Sequence, residues 1–178
     1  KAELFDSKGN KVKDIDAQDV TFTAEAENGV VPVNIKFDTR GQAGKSFTVV
    51  EYLIYNKAEI ARHYDLTSED QTVTVKTPTI KTAASAADDT TLKSVDCGTS
   101  AGILDRVSYT NLKDGQTYTL VASVYDKTTK VWVDNVATKE FKADSKVGYV
   151  DVNLTFDTSD KRGHELVIGE TLYIDDVA

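Results

Sequence analysis

Apolar and polar residues alternate along several short segments of this chain of 178 residues. Such alternation predicts β-strands that bury one face, and the many Thr, Val and aromatic residues in these segments favour the same structure. Stretches containing Gly, Asn, Asp and Lys separate the segments and predict turns. The pattern predicts an all-β fold of tandem immunoglobulin-like antiparallel β-sandwiches. The predicted strands are residues 20–26, 31–37, 71–75, 118–125 and 150–156.

The chain contains one sequence pattern twice. Residues 30–39 recur as residues 149–158, a spacing of 119 residues. The same spacing carries Glu51 onto Glu170. A match held without a gap over roughly forty residues indicates an internal repeat, and a period of this length indicates whole domains in a row.

The repeat divides the chain between two domains that are each represented in part. The first copy lacks its beginning and the second lacks its end, with a linker of a few residues around Pro78. We therefore expect residues 1–77 to form the C-terminal part of a first immunoglobulin-like domain. Residues 78–178 are expected to form the N-terminal part of a second, homologous domain. A short linker between such domains favours an extended, semi-rigid stalk.

Composition and charge exclude some classes of partner. The chain carries 29 acidic and 21 basic residues, a net charge of −8, which argues against binding to nucleic acid or anionic lipid. Cys97 is the single cysteine, so an intrachain disulfide is impossible. No apolar run approaches the length of a membrane span, so no membrane insertion is expected in this segment.

Merging the two copies into one ideal domain produces an ordered series of motifs. In that order the sequence resembles the VaFE-repeat, Thr-Gln ester-bond-forming domains of Gram-positive surface adhesins. In this chain the Glu of the family's name motif follows Val50 in one copy and Gly169 in the other, where the family typically has Phe. The segments that carry the resemblance are residues 78–83, 105–112, 114–118, 48–51, 167–170 and 61–75, together with the repeated Phe-Asp-Thr.

The resemblance implies a covalent bond between two side chains of one domain. In this family a threonine hydroxyl attacks a glutamine carboxamide, releases ammonia and leaves an ester. By this comparison Thr82 is the nucleophile, Gln71 the electrophile and His63 the base. The carboxyl pair consists of Asp105 and the repeated Glu, which is Glu51 in one copy and Glu170 in the other.

The chemistry explains why these residue types are needed. A threonine hydroxyl is a weak nucleophile until a base takes its proton, and histidine suits that task near neutral pH. An amide is a poor electrophile that needs a hydrogen-bond donor, and a carboxylic acid kept neutral by burial can supply one. No metal or cofactor is required. Because the reaction occurs once per molecule, we expect self-modification and not enzymatic turnover.

Thr82 and Gln71 belong to different domains, so the family's reaction does not join them within one domain. Gln71 needs a Thr from strands that would precede Lys1, and Thr82 needs a Gln from strands that would follow Ala178. Several sources are open: strands outside the given sequence, a complementary chain or peptide, an engineered split, or a domain-swapped head-to-tail assembly.

These expectations define a function. The chain is expected to be a stalk module of a bacterial adhesin, extracellular and anchored to the cell wall. Its partners are expected to be neighbouring repeats of the same protein and, through a distal domain, a host ligand. Two alternatives stay open. One is a sandwich module that binds a host glycan or protein without any cross-link, and the other is a stalk domain with a Lys–Asn isopeptide bond.

Each candidate residue also has a plain structural interpretation. Thr82 and Gln71 can be ordinary strand residues, and His63 can be a surface histidine. Asp105 can be a turn or strand-start residue. The repeated Glu is different, because its occurrence at one position in both copies favours a buried role. Outside this set, His164 is expected at the surface.

Overall fold

The computed structural model describes residues 1–17 and 19–178, with the side chains of residues 134 and 135 left out. The chain forms two compact units, Lys1–Lys76 and Thr77–Ala178. The described residues contain no helix, and all their strand pairs are antiparallel. The predicted all-β fold is therefore confirmed. None of the described residues forms a helix that could span a membrane.

The first unit contains six strands, β1 (Ala2–Asp6), β2 (Asp16–Ala17), β3 (Ile35–Lys36), β4 (Ser46–Tyr55), β5 (Ala58–His63) and β6 (Thr72–Thr74). It is built around the long strand β4. On one side β4 pairs with β1, and on the other side its beginning pairs with β6 and its end with β5. The short strands β2 and β3 pair with each other.

The second unit is a β-sandwich of two three-stranded sheets. Its strands are β7 (Thr79–Ala86), β8 (Ala101–Thr110), β9 (Thr117–Asp126), β10 (Val131–Lys142), β11 (Val147–Phe156) and β12 (Leu166–Tyr173). One sheet has the strand order β11-β8-β7 and the other β10-β9-β12. Among the described residues, β7 and β12 are therefore edge strands of their respective sheets.

The core of the second unit lies between its two sheets. It follows from the alternation in the sequence, because every second side chain of a strand points to the same face. Val107 on β8, Leu120 on β9 and Val152 on β11 are each at most 1% exposed and belong to one buried cluster. Residues of β7, β10 and β12 pack around this cluster.

The predicted strands are found unequally in the two units. Residues 118–125 and 150–156 lie within β9 and β11, whereas residues 71–75 shorten to β6. The prediction for residues 20–26 is wrong, and of residues 31–37 only Ile35–Lys36 is a strand. The reason is pairing: β11 forms its ladder with β8, and the described residues of the first unit include no counterpart of β8.

The two units pair the repeated Glu in the same way. In the first unit β1 and β4 align Ala2 with Glu51, and in the second unit β9 and β12 align Ala122 with Glu170. Both alanines are buried. The strand pair β1–β4 is therefore the counterpart of β9–β12, and the repeated Glu occupies an equivalent position in both.

Replacement of Leu120 by Ala tests the position of the core. Leu120 is 1% exposed. The Leu120→Ala change is expected to lower the free energy of unfolding of the second unit by about 2–5 kcal/mol, since it removes buried methyl groups and leaves a cavity. Urea unfolding measures the change, and Val167→Ala is the control because Val167 is 44% exposed on β12. Equal effects of the two substitutions would contradict the assignment of the core.

Candidate functional site

Two carboxyl groups lie buried between the sheets of the second unit. Asp105 on β8 is fully buried, and both carboxylate oxygens of Glu170 on β12 are shielded from solvent. Apart from each other, the two carboxyl groups have no hydrogen-bond partner among the described residues. Two ionised carboxylates in such a place would be strongly disfavoured, because burial and mutual repulsion both oppose the charged forms.

The environment of Glu170 keeps its carboxyl group protonated. Burial, reinforced by the neighbouring carboxyl group of Asp105, raises the pKa of Glu170 to about 9. At neutral pH Glu170 is therefore a neutral acid that can donate a hydrogen bond. A buried carboxylic acid of this kind can stabilise negative charge that develops on a carbonyl oxygen.

The alternation of β8 explains how Asp105 comes to be buried. Ile103, Asp105 and Val107 follow one another on the inward face of β8, and all three are buried. Asp105 lies in the middle of the strand, so its interpretation as a turn or strand-start residue is wrong. It occupies a position where the pattern of the strand would accept an apolar side chain.

Thr82 lies on the strand next to Asp105. In the ladder between β7 and β8, Thr82 pairs with Val107 and Ala84 pairs with Asp105. Thr82 is therefore the diagonal neighbour of Asp105 on the inward face of the sheet. The side chain of Thr82 is half-buried, and its hydroxyl group has no hydrogen-bond partner among the described residues. The threonine that the resemblance implies as the nucleophile thus lies beside the buried carboxyl pair, and its hydroxyl group makes no hydrogen bond to the described residues.

Thr82 and Glu170 lie at the same level along the two edge strands. Ile80 of β7 and Leu172 of β12 pack against the same buried cluster, and Ala84 of β7 and Ile168 of β12 line the same groove. Thr82 lies midway between Ile80 and Ala84 on β7. Glu170 lies midway between Ile168 and Leu172 on β12. The second unit therefore brings Thr82, Asp105 and Glu170 together at one edge of the sandwich.

The first unit brings together the other candidates. His63 on β5 pairs directly with Glu51 on β4. Gln71 comes just before β6, and its carbonyl oxygen accepts a hydrogen bond of 2.9 Å from the amide of Val49. Val49 and Glu51 are two residues apart and share a face of β4, so Gln71, Glu51 and His63 lie on one face of the sheet. His63 is exposed, and Gln71 is half-buried.

That face of the first unit corresponds to the inward face of the second. Ala2 and Leu4 are buried on it, as Ala122 and Val124 are buried between the sheets of the second unit. Gln71 therefore lies on the same face of the first unit as Ala2 and Leu4.

Each unit contains only some of the predicted site residues. Thr82 and Asp105 lie in the second unit, and His63 and Gln71 lie in the first. Because the repeated Glu pairs with a buried alanine in both units, positions in one unit can be mapped onto the other. Transferred to the second unit, the pairing of β4 with β5 and β6 places the histidine opposite Glu170 and the glutamine opposite Ile168. Both positions lie along the edge of β12 that does not face β9.

One buried pair was not predicted from the sequence. His164 Nδ1 lies 2.8 Å from Asp126 Oδ2, and the His164 side chain is only 20% exposed, so its expected surface position is wrong. Asp126 also accepts hydrogen bonds from the amides of Thr128 and Thr129. Burial would raise the pKa of Asp126, but the hydrogen bonds outweigh it and hold that pKa below its ordinary value. Residues 127–130 read as a turn, which is consistent with the amide bonds to Asp126, but no local pattern points to His164.

The raised pKa of Glu170 predicts an unusual pH dependence of stability. Between the ordinary value of 4.5 and about 9, the folded chain keeps this proton while the unfolded chain releases it. The free energy of unfolding should therefore fall as the pH rises through this window, by up to about 1.4 kcal/mol per pH unit. Glu170→Gln should remove this fall, as urea unfolding at several pH values would show.

Glu165→Gln is the matched control for this test, because Glu165 is near the start of the same strand but its side chain is 76% exposed. A Glu170→Gln variant with the same pH dependence as the unchanged chain would show that Glu170 is not a neutral acid in the folded protein.

The comparison with known families agrees with this geometry. A family model described as "T-Q ester bond containing domain" matches residues 1–75 and, separately, residues 78–177. No curated protein matches the chain. The two matches together cover nearly all of the sequence and correspond to the two units of the structure. The chain therefore belongs to the family of T-Q ester bond containing domains.

Proposed function

We propose that each domain represented here is closed by an autocatalytic ester bond between a threonine of its first strand and a glutamine of its last strand. In the second domain the threonine is Thr82, and in the first domain the glutamine is Gln71. The observation that carries this proposal is the buried pair of Asp105 and Glu170 beside Thr82. It supplies a neutral acid where the edge strands β7 and β12 approach each other.

The reaction can be written in balanced form. The threonine hydroxyl oxygen attacks the side-chain carbonyl carbon of the glutamine, and the histidine that corresponds to His63 takes the hydroxyl proton. The protonated Glu170 donates a hydrogen bond to the carbonyl oxygen, on which negative charge develops. The carbon–nitrogen bond then breaks, the nitrogen leaves as ammonia with the proton taken from the hydroxyl group, and the ester remains.

The glutamine that meets Thr82 is carried by a strand that pairs with the edge of β12. The register is the one that β5 and β6 have on β4, with a histidine opposite Glu170 and a glutamine opposite Ile168. Strands of the same domain outside the given sequence, a complementary chain or peptide, or a domain-swapped copy can supply this strand. Backbone hydrogen bonds along the edge provide affinity for such a strand, and the inward side chains provide specificity.

The bond suits a mechanical role in a stalk. A tie between the first and last strands bypasses the hydrogen-bonded ladders when a domain is pulled from its ends, because force then passes through covalent bonds. Resistance of this kind is kinetic, and a protein with one cysteine obtains it without a disulfide. We place the chain in the stalk of an extracellular adhesin anchored to a bacterial cell wall, where neighbouring repeats hold a distal domain toward a host ligand.

A composite domain tests the chemistry. Residues 78–174 followed directly by residues 56–76 combine both parts, since the repeat spacing aligns Ile174 with Tyr55. Its intact mass should be lower than the mass of its sequence by one ammonia molecule, and Thr82→Ala should abolish the loss. Hydroxylamine should cleave the bond, because it cleaves esters and spares amides.

The outcomes separate the alternatives. An unchanged mass in the composite domain would contradict the ester and favour a ligand-binding sandwich without a cross-link. A loss of ammonia that resists hydroxylamine would favour a Lys–Asn isopeptide bond.

The mechanical role makes a second prediction. When the composite domain is stretched from its ends, the segment between the two bonded residues should not extend. With Thr82→Ala the same segment should unfold and lengthen by about 3.5 Å per residue. Single-molecule force measurements compare the two. Equal gains in length for both proteins would contradict a covalent tie between the first and last strands.

A further inference from the structure

The single tryptophan lies on the outer face of the second unit and not in its core. Trp132 on β10 is 53% exposed. It pairs with Tyr125 on β9, and Tyr125 pairs with Val167 on β12. The ring centroids of Trp132 and Tyr125 are 4.9 Å apart. The three side chains form a row across the outer face of the sheet, and this row reaches the edge strand that carries Glu170.

The indole ring of Trp132 covers Gly169, the residue immediately before Glu170. A Cβ atom added to Gly169 would lie 3.5 Å from Cη2 and 3.6 Å from Cζ3 of Trp132. These are ordinary van der Waals distances, so the far end of the indole ring rests on the backbone of β12 at the point where a side chain is missing. Trp132 reaches this point across β9, the central strand of its sheet.

In the first unit, different residue types occupy the positions of Gly169 and Trp132. The counterpart of Gly169 is Val50, which is completely buried. Lys11 is the counterpart of Trp132, because it pairs with Phe5 as Trp132 pairs with Tyr125. In the first copy, the residue before the repeated Glu therefore covers its own strand. In the second copy that side chain is absent, and an aromatic ring from another strand takes its place.

We propose that Trp132 is a positioning residue for Glu170: it replaces the side chain that Gly169 lacks and thereby holds the edge strand in place around the buried acid. A glycine inside a strand leaves the backbone loose and exposed to water. An aromatic ring packed on an edge glycine restores the lost contacts. The significance of this role for cross-linking rests on the proposed function, but its effect on Glu170 does not.

The physical link runs through the solvent exposure of β12. Glu170 stays neutral because its carboxyl group is shielded from water and faces the carboxyl group of Asp105 across the space between the sheets. If the strand at Gly169 loosens, water reaches the carboxyl group and the charged form becomes less costly. Removal of the indole ring should therefore make Glu170 a stronger acid while the buried core of the sandwich stays intact.

The experiment is a carboxyl titration of the whole chain by carbon NMR. Trp132→Ala should lower the pKa of Glu170 by about one unit or more, a shift well outside the error of such a titration. The double change Trp132→Lys with Gly169→Val reproduces the pair found in the first copy and should restore the high pKa. Val131→Ala is the matched control, because it removes a side chain of similar exposure, 54%, from the same strand.

The outcomes are decisive for the proposal. An unchanged pKa of Glu170 in Trp132→Ala, or a double variant that does not restore it, would overturn the role of Trp132. If Trp132→Ala does not fold, Trp132→Leu replaces it in the same titration with the same expected direction. In the composite domain, Trp132→Ala should slow ester formation several-fold. A composite domain that forms no ester even with Trp132 present would contradict the proposed function and leave the titration result standing.

Discussion

The burial of Asp105 beside Glu170 is the constraint on which the site depends. Apart from each other, the two carboxyl groups have no hydrogen-bond partner among the described residues, and a pair of buried charges at this place would be strongly disfavoured. Retention of a proton by Glu170 relieves the conflict and converts an acidic side chain into a donor at neutral pH. A sandwich selected for stability alone would place apolar residues at both positions. The pair is therefore best understood through its chemistry.

The location of the pair connects this chemistry with mechanics. Asp105 lies on β8 beside β7, Glu170 lies on β12, and Thr82 is the diagonal neighbour of Asp105 on the edge strand β7. In the proposed function, a strand that pairs with β12 in the register of β5 and β6 closes the sandwich at this edge. The proposed ester would then join the first and last strands of the domain, which are the strands that would carry load in the proposed stalk.

Part of this arrangement is predictable from the sequence: alternation indicates β9 and β11, and the repeat spacing relates Glu170 to Glu51. β8 was not among the predicted strands, because apolar Leu104 and acidic Asp105 interrupt its alternation, and the family resemblance alone pointed to Asp105. The strand predicted at residues 20–26 is absent because alternation indicates a face but cannot supply a partner strand. The contacts of His164 with Asp126 and of Trp132 with Gly169 join residues 38 and 37 positions apart, so no local pattern indicates them.

The central claim is that the two units present two parts of one bonding site in a common register. A crystal structure of the composite domain, residues 78–174 joined to residues 56–76, measures this most directly. The account predicts continuous electron density between Oγ1 of Thr82 and the side-chain carbonyl carbon of Gln71, with His63 opposite Glu170. A structure in which the strand pairs in another register, or in which Gln71 points to solvent away from Thr82, would contradict the account.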